Sequence, residues 1–574
     1  MCGIVGYKGR SIAAPILLKG LKNLEYRGYD SAGIATLENG INVVKTKGRI
    51  TNLSPLTKSL CGNCGIGHTR WATHGAATET NAHPHLSPSG KFAIVHNGII
   101  ENFDSLKHEL AQKGYVFRSE TDSEVIAVLM DDLFDGNELK TFSAVLNKLQ
   151  GSYAIAMLTY DGKIYAAKKD SPLVIGLSRS ETYVSSDLTA FSDKTDKFVI
   201  MEDEIAEISD TVSFFSDGKK IQPQIFEWKC KVDACDKSVY PHYMLKEIFE
   251  QPDALADTLN HSIKDKCEFL NQINNIHLIG CGSAYHAALT GKYVIESLTG
   301  TRVNADIASE FRYRNPIIRQ SDLLIAISQS GETADTIGAV NMAKDRCKTA
   351  CIVNVRKSTL ARTARPFYTY AGPEIAVATT KGYTTQLINL YVIAYNMLGK
   401  PTGFLRSLEA IPQSVAQTLK LSNVLKYIGE LIASKRNVFF IGRGADYAAA
   451  KESALKLKEI SYIHADCYPA GELKHGTISL IEKGSVVIAI ATDKELLNKT
   501  SGSILEVKAR GAFTIGISSY ELDCCDITIK LPAADFYSPL LATVACQLIS
   551  YYAALHRGCD IDKPRNLAKS VTVE

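Results

Sequence analysis

Cys2 stands directly behind the initiator methionine. Once Met1 is removed, one residue carries both a thiol and a free α-amine. An α-amine has an ordinary pKa of about 7.7–8.0, so it can take a proton near neutrality and return it during acyl transfer. Nucleophile and base then sit on the same residue, the arrangement of N-terminal nucleophiles. A cysteine at position two means little alone; its meaning depends on what accompanies it. A second group of chemical residues lies far along the chain. Leu323-Leu324-Ile325-Ala326-Ile327 runs into Ser328-Gln329-Ser330-Gly331-Glu332-Thr333, and Ala334-Asp335-Thr336 then opens a helix pattern. Hydroxyls, a glycine and unpaired backbone N–H groups at a helix start form a cradle for an anion. The same residues would also serve as a plain capping box. The Gly-Lys-Ser/Thr of a nucleotide phosphate loop is absent. Third, Glu452, Lys456 and Glu459 fall at i, i+4 and i+7 and share one helix face, a spacing that also describes a solvated ion-pair face. Cys61-Gly62-Asn63-Cys64 has CxxC spacing without a second pair at zinc-ribbon distance, so no metal site is expected.

The elements that must position these residues differ between the two halves. In the first 215 residues, strands are joined by tight turns. Ile34-Ala35-Thr36, Asn39-Gly40 and Ile41-Asn42-Val43-Val44 predict one hairpin, and Asp161-Gly162 marks the turn of another between 153–159 and 163–167. A helix is expected over 123–133. Polar residues around Asp217-Gly218-Lys219-Lys220 read as the start of a linker over 216–245. Beyond it, buried-type strands alternate with helices, the pattern of parallel α/β folds. That half repeats itself. Ile279-Gly280-Cys281-Gly282-Ser283-Ala284-Tyr285-His286-Ala287-Ala288 matches Ile441-Gly442-Arg443-Gly444-Ala445-Asp446-Tyr447-Ala448-Ala449-Ala450, and the following strands match at nearly the same offset. Two related lobes follow from this. The second lobe has Ala491-Thr492-Asp493-Lys494-Glu495 where the first has Ser328-Gln329-Ser330-Gly331-Glu332, so one phosphate cradle per chain is expected.

The N-terminal motifs occur as an ordered set. Met1-Cys2-Gly3-Ile4-Val5-Gly6 is followed by Tyr26-Arg27-Gly28-Tyr29-Asp30-Ser31-Ala32-Gly33, His68-Thr69-Arg70-Trp71-Ala72-Thr73-His74-Gly75, Asn81-Ala82-His83-Pro84-His85, His96-Asn97-Gly98-Ile99-Ile100-Glu101-Asn102 and Ser119-Glu120-Thr121-Asp122-Ser123. Together they resemble the class II glutamine amidotransferases. The resemblance implies that Cys2 attacks the glutamine amide, with Asn97 and the Gly98 N–H as oxyanion hole. Such a donor is worth roughly 2.7–4 kcal/mol. It implies that Arg70 binds the α-carboxylate of glutamine, a bidentate match, and that Asp122 binds its α-ammonium. Thr73 and His74 line the pocket, Arg27 supports the nucleophile loop, and Trp71 gates an ammonia channel.

The second half resembles sugar isomerase domains, with Ser328, Gln329, Ser330 and Thr333 as phosphosugar loop and Val377, Ala378, Thr379, Thr380 and Lys381 as the second part of that site. Ala454-Leu455-Lys456-Leu457-Lys458-Glu459-Ile460-Ser461-Tyr462, Gly471-Glu472-Leu473-Lys474-His475-Gly476 and the terminal Pro564-Arg565-Asn566-Leu567-Ala568-Lys569-Ser570-Val571-Thr572-Val573-Glu574 narrow the resemblance to glutamine–fructose-6-phosphate aminotransferases (isomerizing). By that resemblance His475 opens the sugar ring, Lys569 condenses with the open ketone, Glu459 moves the proton between C1 and C2, and Lys456 stabilises the enolic oxygen. Ser283 and Ala568 line the sugar-phosphate pocket. The family usually has Thr-Ser after Cys281-Gly282, where this chain has Ser283-Ala284, so one hydroxyl is missing from the cradle.

The expected architecture is an α/β multidomain chain. An N-terminal nucleophile (αββα sandwich) glutaminase at 2–215 is followed by the linker, parallel-sheet sugar isomerase lobes at 246–400 and 420–556, and a catalytic tail at 557–574. The resemblance implies glutamine and fructose 6-phosphate as substrates, no cofactor, and at least a homodimer, since family members place His475 in the neighbouring subunit's site. A net charge of +3 from 64 basic and 61 acidic residues gives no reason to expect nucleic acid. No signal peptide is visible, and the most apolar stretch, 540–555, is broken by Gln547, Ser550 and two tyrosines, so a buried helix, no membrane and a cytoplasmic location are expected. Two rivals stand beside this reading. One is a class II amidotransferase acting on another sugar phosphate; the other is a non-catalytic sugar-phosphate sensor, which would need the cradle but not Cys2, Glu459, His475 or Lys569.

Overall fold

The computed structural model describes residues 2–572 apart from 26–27, 73, 192, 196, 228–236, 266, 268 and 271–272. The chain divides into two compact units, Met1–Cys235 with Ser570–Glu574, and Asp236–Lys569.

The first unit contains an eight-stranded and a seven-stranded sheet. Strand Gly3–Lys8 pairs antiparallel with Cys64–Arg70 and Thr182–Ser185 in the larger sheet, and Phe92–Ile100 pairs antiparallel with Gly151–Thr159 in the smaller. Side-chain alternation along a strand decides the layers. Ile4 and Ile66 of one sheet meet Val95, Ala156 and Leu158 of the other in a shared core. Val5 and Tyr7 face outward, against Ala14, Leu17 and Leu21 of helix Ala13–Asn23. Helices Phe103–Gln112, Glu124–Leu133 and Glu138–Lys148 cover the other outer face. The result is the αββα sandwich. Both predicted hairpins form, as Ser31–Leu37 with Ile41–Lys47 and Gly151–Thr159 with Ile164–Lys169. Gly40 turns the first at φ +127°, in the left-handed region.

The stretch that reads as linker from 216 onward opens differently. Lys219–Ile221 and Ile225–Glu227 are two further strands, paired with Val212–Ser216 and Lys197–Ile200. Each has three residues, lies at a sheet edge and carries charge, so neither shows an alternating apolar signal.

The second unit holds two five-stranded parallel sheets. Counted along the chain, both have strand order 2-1-3-4-5. The first strands, Asn275–Gly280 and Asn437–Gly442, each lead into a long helix, Ser283–Thr299 and Ala445–Ser461. Gly282 and Gly444 make the same turn before those helices, at φ 56° and 57°, so the sequence repeat extends to backbone angles that favour glycine. Helix Ser538–His556 is 89% buried over its most apolar window and packs in the core of this unit.

Candidate functional site

In the first unit, strand Gly3–Lys8 starts next to the nucleophile and Cys64–Arg70 runs antiparallel beside it, ending at Trp71. The Cys2 Sγ accepts from the Trp71 N–H at 3.3 Å and faces its carbonyl at 3.5 Å. Asn97 lies on strand Phe92–Ile100 and its Nδ2 donates to the Cys2 carbonyl at 3.1 Å. Its Oδ1 contacts the buried His68 Nε2 at 2.9 Å, which fixes the amide with the nitrogen toward the nucleophile. Gly98 follows at φ +127°; a Cβ there would meet the Ser152 carbonyl oxygen at 2.0 Å, so no other residue fits. Burial pushes the Cys2 thiol up, while the Trp71 N–H and the Arg70 guanidinium act in the opposite direction. A nearby base is therefore needed to produce the thiolate.

Arg70 is buried and donates to the carbonyls of His74, Gly75 and Ala76. The Asp122 carboxylate accepts from the Ile100 N–H at 2.8 Å and the Ser123 hydroxyl at 3.3 Å. His74 packs edge-on to Phe103, with a buried Nδ1 that has no partner among the described residues. Trp71 stands edge-on to Tyr29 at 5.9 Å between ring centroids. Thr73 and Arg27 lie outside the described residues. Beneath the site His68, His83, His85 and His96 are buried; burial lowers all four, His68 to about 3, so this layer is neutral.

In the second unit, an open parallel sheet of order 2-1-3-4-5 leaves its crevice between the carboxyl ends of strands 1 and 3. In the first lobe those ends carry Ser283 and the loop Ser328–Thr333. Ser328 Oγ lies 3.0 Å from Thr333 Oγ1 and accepts the Gly331 N–H at 3.1 Å. Ser330 Oγ accepts the Glu332 N–H at 3.2 Å. Gly331 is at φ +68°, and a Cβ would strike Ser358 Oγ at 2.1 Å. Gln329 is half-buried at the rim.

Lys456 is 1% exposed and bridges Glu459 at 2.5 Å and Glu452 at 3.5 Å, so the i, i+3 and i+4 spacing makes a buried triad rather than a solvated face. Burial alone would lower the Lys456 ammonium; the Glu459 and Glu452 carboxylates outweigh it and hold the charge. Glu452 also receives the Ser283 hydroxyl and His286 Nδ1, both at 2.8 Å, which ties the two lobes together. Lys569 reaches Glu374 at 2.5 Å, and both side chains are buried. Glu374 accepts three more donors, Thr379 Oγ1 at 2.6 Å, the Thr380 N–H at 2.8 Å and the Gly382 N–H at 3.0 Å. Val377 donates its N–H to the Asp562 carbonyl, which fastens the tail to the same segment, and Ala568 sits half-buried next to Lys569. His475 is exposed on the turn Glu472–His475; among the described residues no hydrogen bond or ion pair joins it to Lys456, Glu459 or Lys569.

The glutamine amidotransferase domain family matches residues 68–193, and the SIS domain family matches 269–395 and 431–557. Full-length relatives align over the whole of both chains. The glutamine–fructose-6-phosphate aminotransferase (isomerizing) of Caldanaerobacter subterraneus subsp. tengcongensis is 47% identical, and that of Methanosarcina acetivorans 45%. This chain belongs to the glutamine–fructose-6-phosphate aminotransferase (isomerizing) family. Among solved structures, the C-terminal domain of glucosamine-fructose-6-phosphate aminotransferase from Francisella tularensis is 38% identical with a TM-score of 0.54, covering 57% of this chain and 99% of that one. Glucosamine-6-phosphate deaminase from Thermotoga maritima is 25% identical with a TM-score of 0.50, covering 58% and 100%.

Some residues of this aminotransferase-family site escape a reading of motifs. Glu374 carried one faint signal, a single acid in the otherwise apolar and hydroxylic stretch Pro373-Glu374-Ile375-Ala376-Val377-Ala378-Thr379. His68 stands in the motif His68-Thr69-Arg70-Trp71 and His286 in the lobe repeat, but neither motif tells what the histidine touches.

Proposed function

We propose the following division of labour for the family's reaction, in which glutamine supplies the nitrogen for converting fructose 6-phosphate to glucosamine 6-phosphate. In the first unit the α-amine of mature Cys2 takes the thiol proton and the sulfur attacks the glutamine side-chain carbonyl carbon. The oxyanion forms opposite Asn97 Nδ2 and the Gly98 N–H. Ammonia leaves with the proton from the α-ammonium, and water then hydrolyses the thioester to glutamate. Arg70 and Asp122 take the two charged ends of glutamine, with Thr73 and His74 lining the pocket; Arg70 exchanges its backbone carbonyl partners for the ligand. Trp71, against the thiol, gates the path of ammonia.

In the second unit Ser283, Ser328, Gln329, Ser330 and Thr333 hold the phosphate. His475 assists ring opening, Lys569 forms the imine at C2, Glu459 carries the proton between C1 and C2, and Lys456 steadies the enolic oxygen. Val377, Thr379 and Ala568 shape the sugar pocket. His475 is exposed and, among the described residues, has no hydrogen bond or ion pair to the other catalytic groups, which supports its service in a partner subunit and hence a homodimer. The observation that carries the sugar-phosphate half of this reading is the buried pair of Lys569 and Glu374 at 2.5 Å, which encloses the motif lysine in the same unit as the buried Lys456. Cys2→Ala is expected to abolish glutamine hydrolysis while sugar-phosphate isomerisation continues. Loss of both activities in a folded variant would refute two separate chemistries.

A further inference from the structure

Glu247 is a buried acid that the reaction as described does not use. It lies on helix Tyr243–Phe249 and is 2% exposed. Its Oε1 accepts the N–H groups of Ile375 and Ala376, the two residues directly after Glu374. Its Oε2 is buried and has no hydrogen-bond partner among the described residues. An ionised carboxylate with one bare oxygen in such a place is costly, and the neutral acid far less so. Burial, and then the charge of Glu374, hold the Glu247 carboxyl well above the usual carboxylate range. Glu374 goes the other way. Burial opposes its charge, but Lys569, the Thr379 hydroxyl and the Gly382 N–H hold its carboxyl well below that range. Two carboxyls in one buried place separate in this manner, one ionised and one not.

The other charged and titratable groups around Glu247 are accounted for. Lys381 is paired with Glu250, Asp562 accepts the N–H groups of Tyr243 and Met244 and pairs with Lys237, and His242 contacts the Tyr551 hydroxyl. Lys246 pairs with Glu250 on the same helix turn. This leaves Glu374 and Lys569 as the groups whose charge Glu247 governs.

We propose that Glu247 is a positioning residue for imine formation, which as a neutral acid behind Glu374 leaves Lys569 facing a single carboxylate. The inference rests on the reading of Lys569 as the imine-forming lysine. With one carboxylate, the Lys569 ammonium gives one proton to Glu374, and the freed lone pair forms the bond from Nζ to C2 of the open sugar. The carbonyl π electrons move to the oxygen. That oxygen takes the proton back from Glu374 and a second one from the nitrogen, and leaves as water. The product is the protonated imine. Ammonium plus ketone thus become iminium plus water, with no proton gained or lost. With Glu247 ionised, two anions would hold the ammonium proton and the amine could not attack.

The test is borohydride trapping of fructose 6-phosphate on the full-length enzyme from neutral to alkaline pH, with peptide mapping. Wild type is expected to show labelling at Lys569 that passes a maximum and then declines by up to about tenfold per pH unit as Glu247 ionises. Glu247→Gln keeps the acceptor for Ile375 and Ala376 but cannot ionise, so its alkaline decline should disappear. A decline unchanged in Glu247→Gln overturns the proposal while leaving the role of Lys569 intact. No label on Lys569 in wild type at any pH refutes the lysine assignment instead. Infrared difference spectroscopy, wild type against Glu247→Gln at neutral pH, is independent of turnover. It should show the carbonyl stretch of one protonated carboxylic acid, and its absence overturns the proposal even if trapping fails.

Discussion

The two lobes of the second unit share strand order, helix placement and the left-handed glycine before the first long helix, yet only one offers an anion cradle. The loops differ, Ser328-Gln329-Ser330-Gly331-Glu332 against Ala491-Thr492-Asp493-Lys494-Glu495, and so does the residue that faces them. In the second lobe Asp446, the second residue of its helix, accepts the N–H of Thr492 at 2.7 Å, the Thr492 hydroxyl, and the N–H of Asp493 at 3.3 Å. These are the repeat counterparts of Gln329 and Ser330. In the first lobe the matching position is Ala284, a methyl. The second lobe has thus filled its cradle with a carboxylate of its own, whereas the first keeps it for a ligand. The fold supplies backbone donors at the same point twice, and in the second lobe the Asp446 carboxylate takes them up while the loop has also lost the hydroxyls of Ser328 and Ser330.

The largest effect should come from making the first lobe like the second. Ala284→Asp places a carboxylate where the phosphate is proposed to bind, and like charges so placed cost several kcal/mol. Fructose 6-phosphate binding by titration calorimetry should fall by at least about a hundredfold, near 2.7 kcal/mol, while glutamine hydrolysis at Cys2 continues. Binding that survives within tenfold would break the equivalence of the lobes. The converse concerns Asp446 itself. Burial raises its carboxyl to about 6, above the ordinary value despite the Thr492 and Asp493 donors. A group whose pKa is higher folded than unfolded favours folding while protonated. Its contribution is therefore present at acid pH and is lost as pH rises from the unfolded value near 4 to the folded value near 6, by about 3 kcal/mol in total. Thermal unfolding between those pH values should show this decline in wild type and not in Asp446→Asn. A parallel decline in both proteins would assign it to another group.

Much of the comparison was legible in the sequence. The Ile-Gly-x-Gly-x-x-Tyr repeat carries the lobes, Asn-Gly and Asp-Gly carry the hairpins, and the spacing of Glu452, Lys456 and Glu459 carries their shared face. What spacing could not tell was whether that face is solvated or buried, because the answer depends on helix Ser283–Thr299, which brings Ser283 and His286 to Glu452 across 169 and 166 positions. Glu374 meets Lys569 across 195 positions, and Glu247 reaches Ala376 across 129. Contacts of that length are set by packing, not by local pattern. The edge strands at 219–221 and 225–227 were missed for a different reason. Their residues are too few and too charged to show a period of two.

The smallest expected effect sharpens the same comparison. Between the methyl of Ala284 and the carboxylate of Asp446 lies a hydroxyl, the residue that the family usually carries after Cys281-Gly282. Ser283 does not fill that position: it is buried and its hydroxyl donates to Glu452 at 2.8 Å, a partner it must exchange to serve the phosphate. Ala284→Ser adds an uncharged donor next to the loop of Ser328, Gln329 and Ser330, at the position from which Asp446 reaches Thr492 in the other lobe. One neutral hydrogen bond is worth about 0.5–1.5 kcal/mol net, and one to a charged phosphate up to roughly 3. A water already filling the gap in the complex would reduce the gain. Fructose 6-phosphate affinity should therefore rise by up to about tenfold, close to 1.4 kcal/mol, with kcat changed less than KM because the contact is made equally in the ground and transition states. Calorimetry on the two proteins gives the first quantity and steady-state rates the second. Unchanged or weaker binding in Ala284→Ser would mean that the pocket is shaped around the methyl. In that case the contrast between the lobes would be one of shape as well as charge.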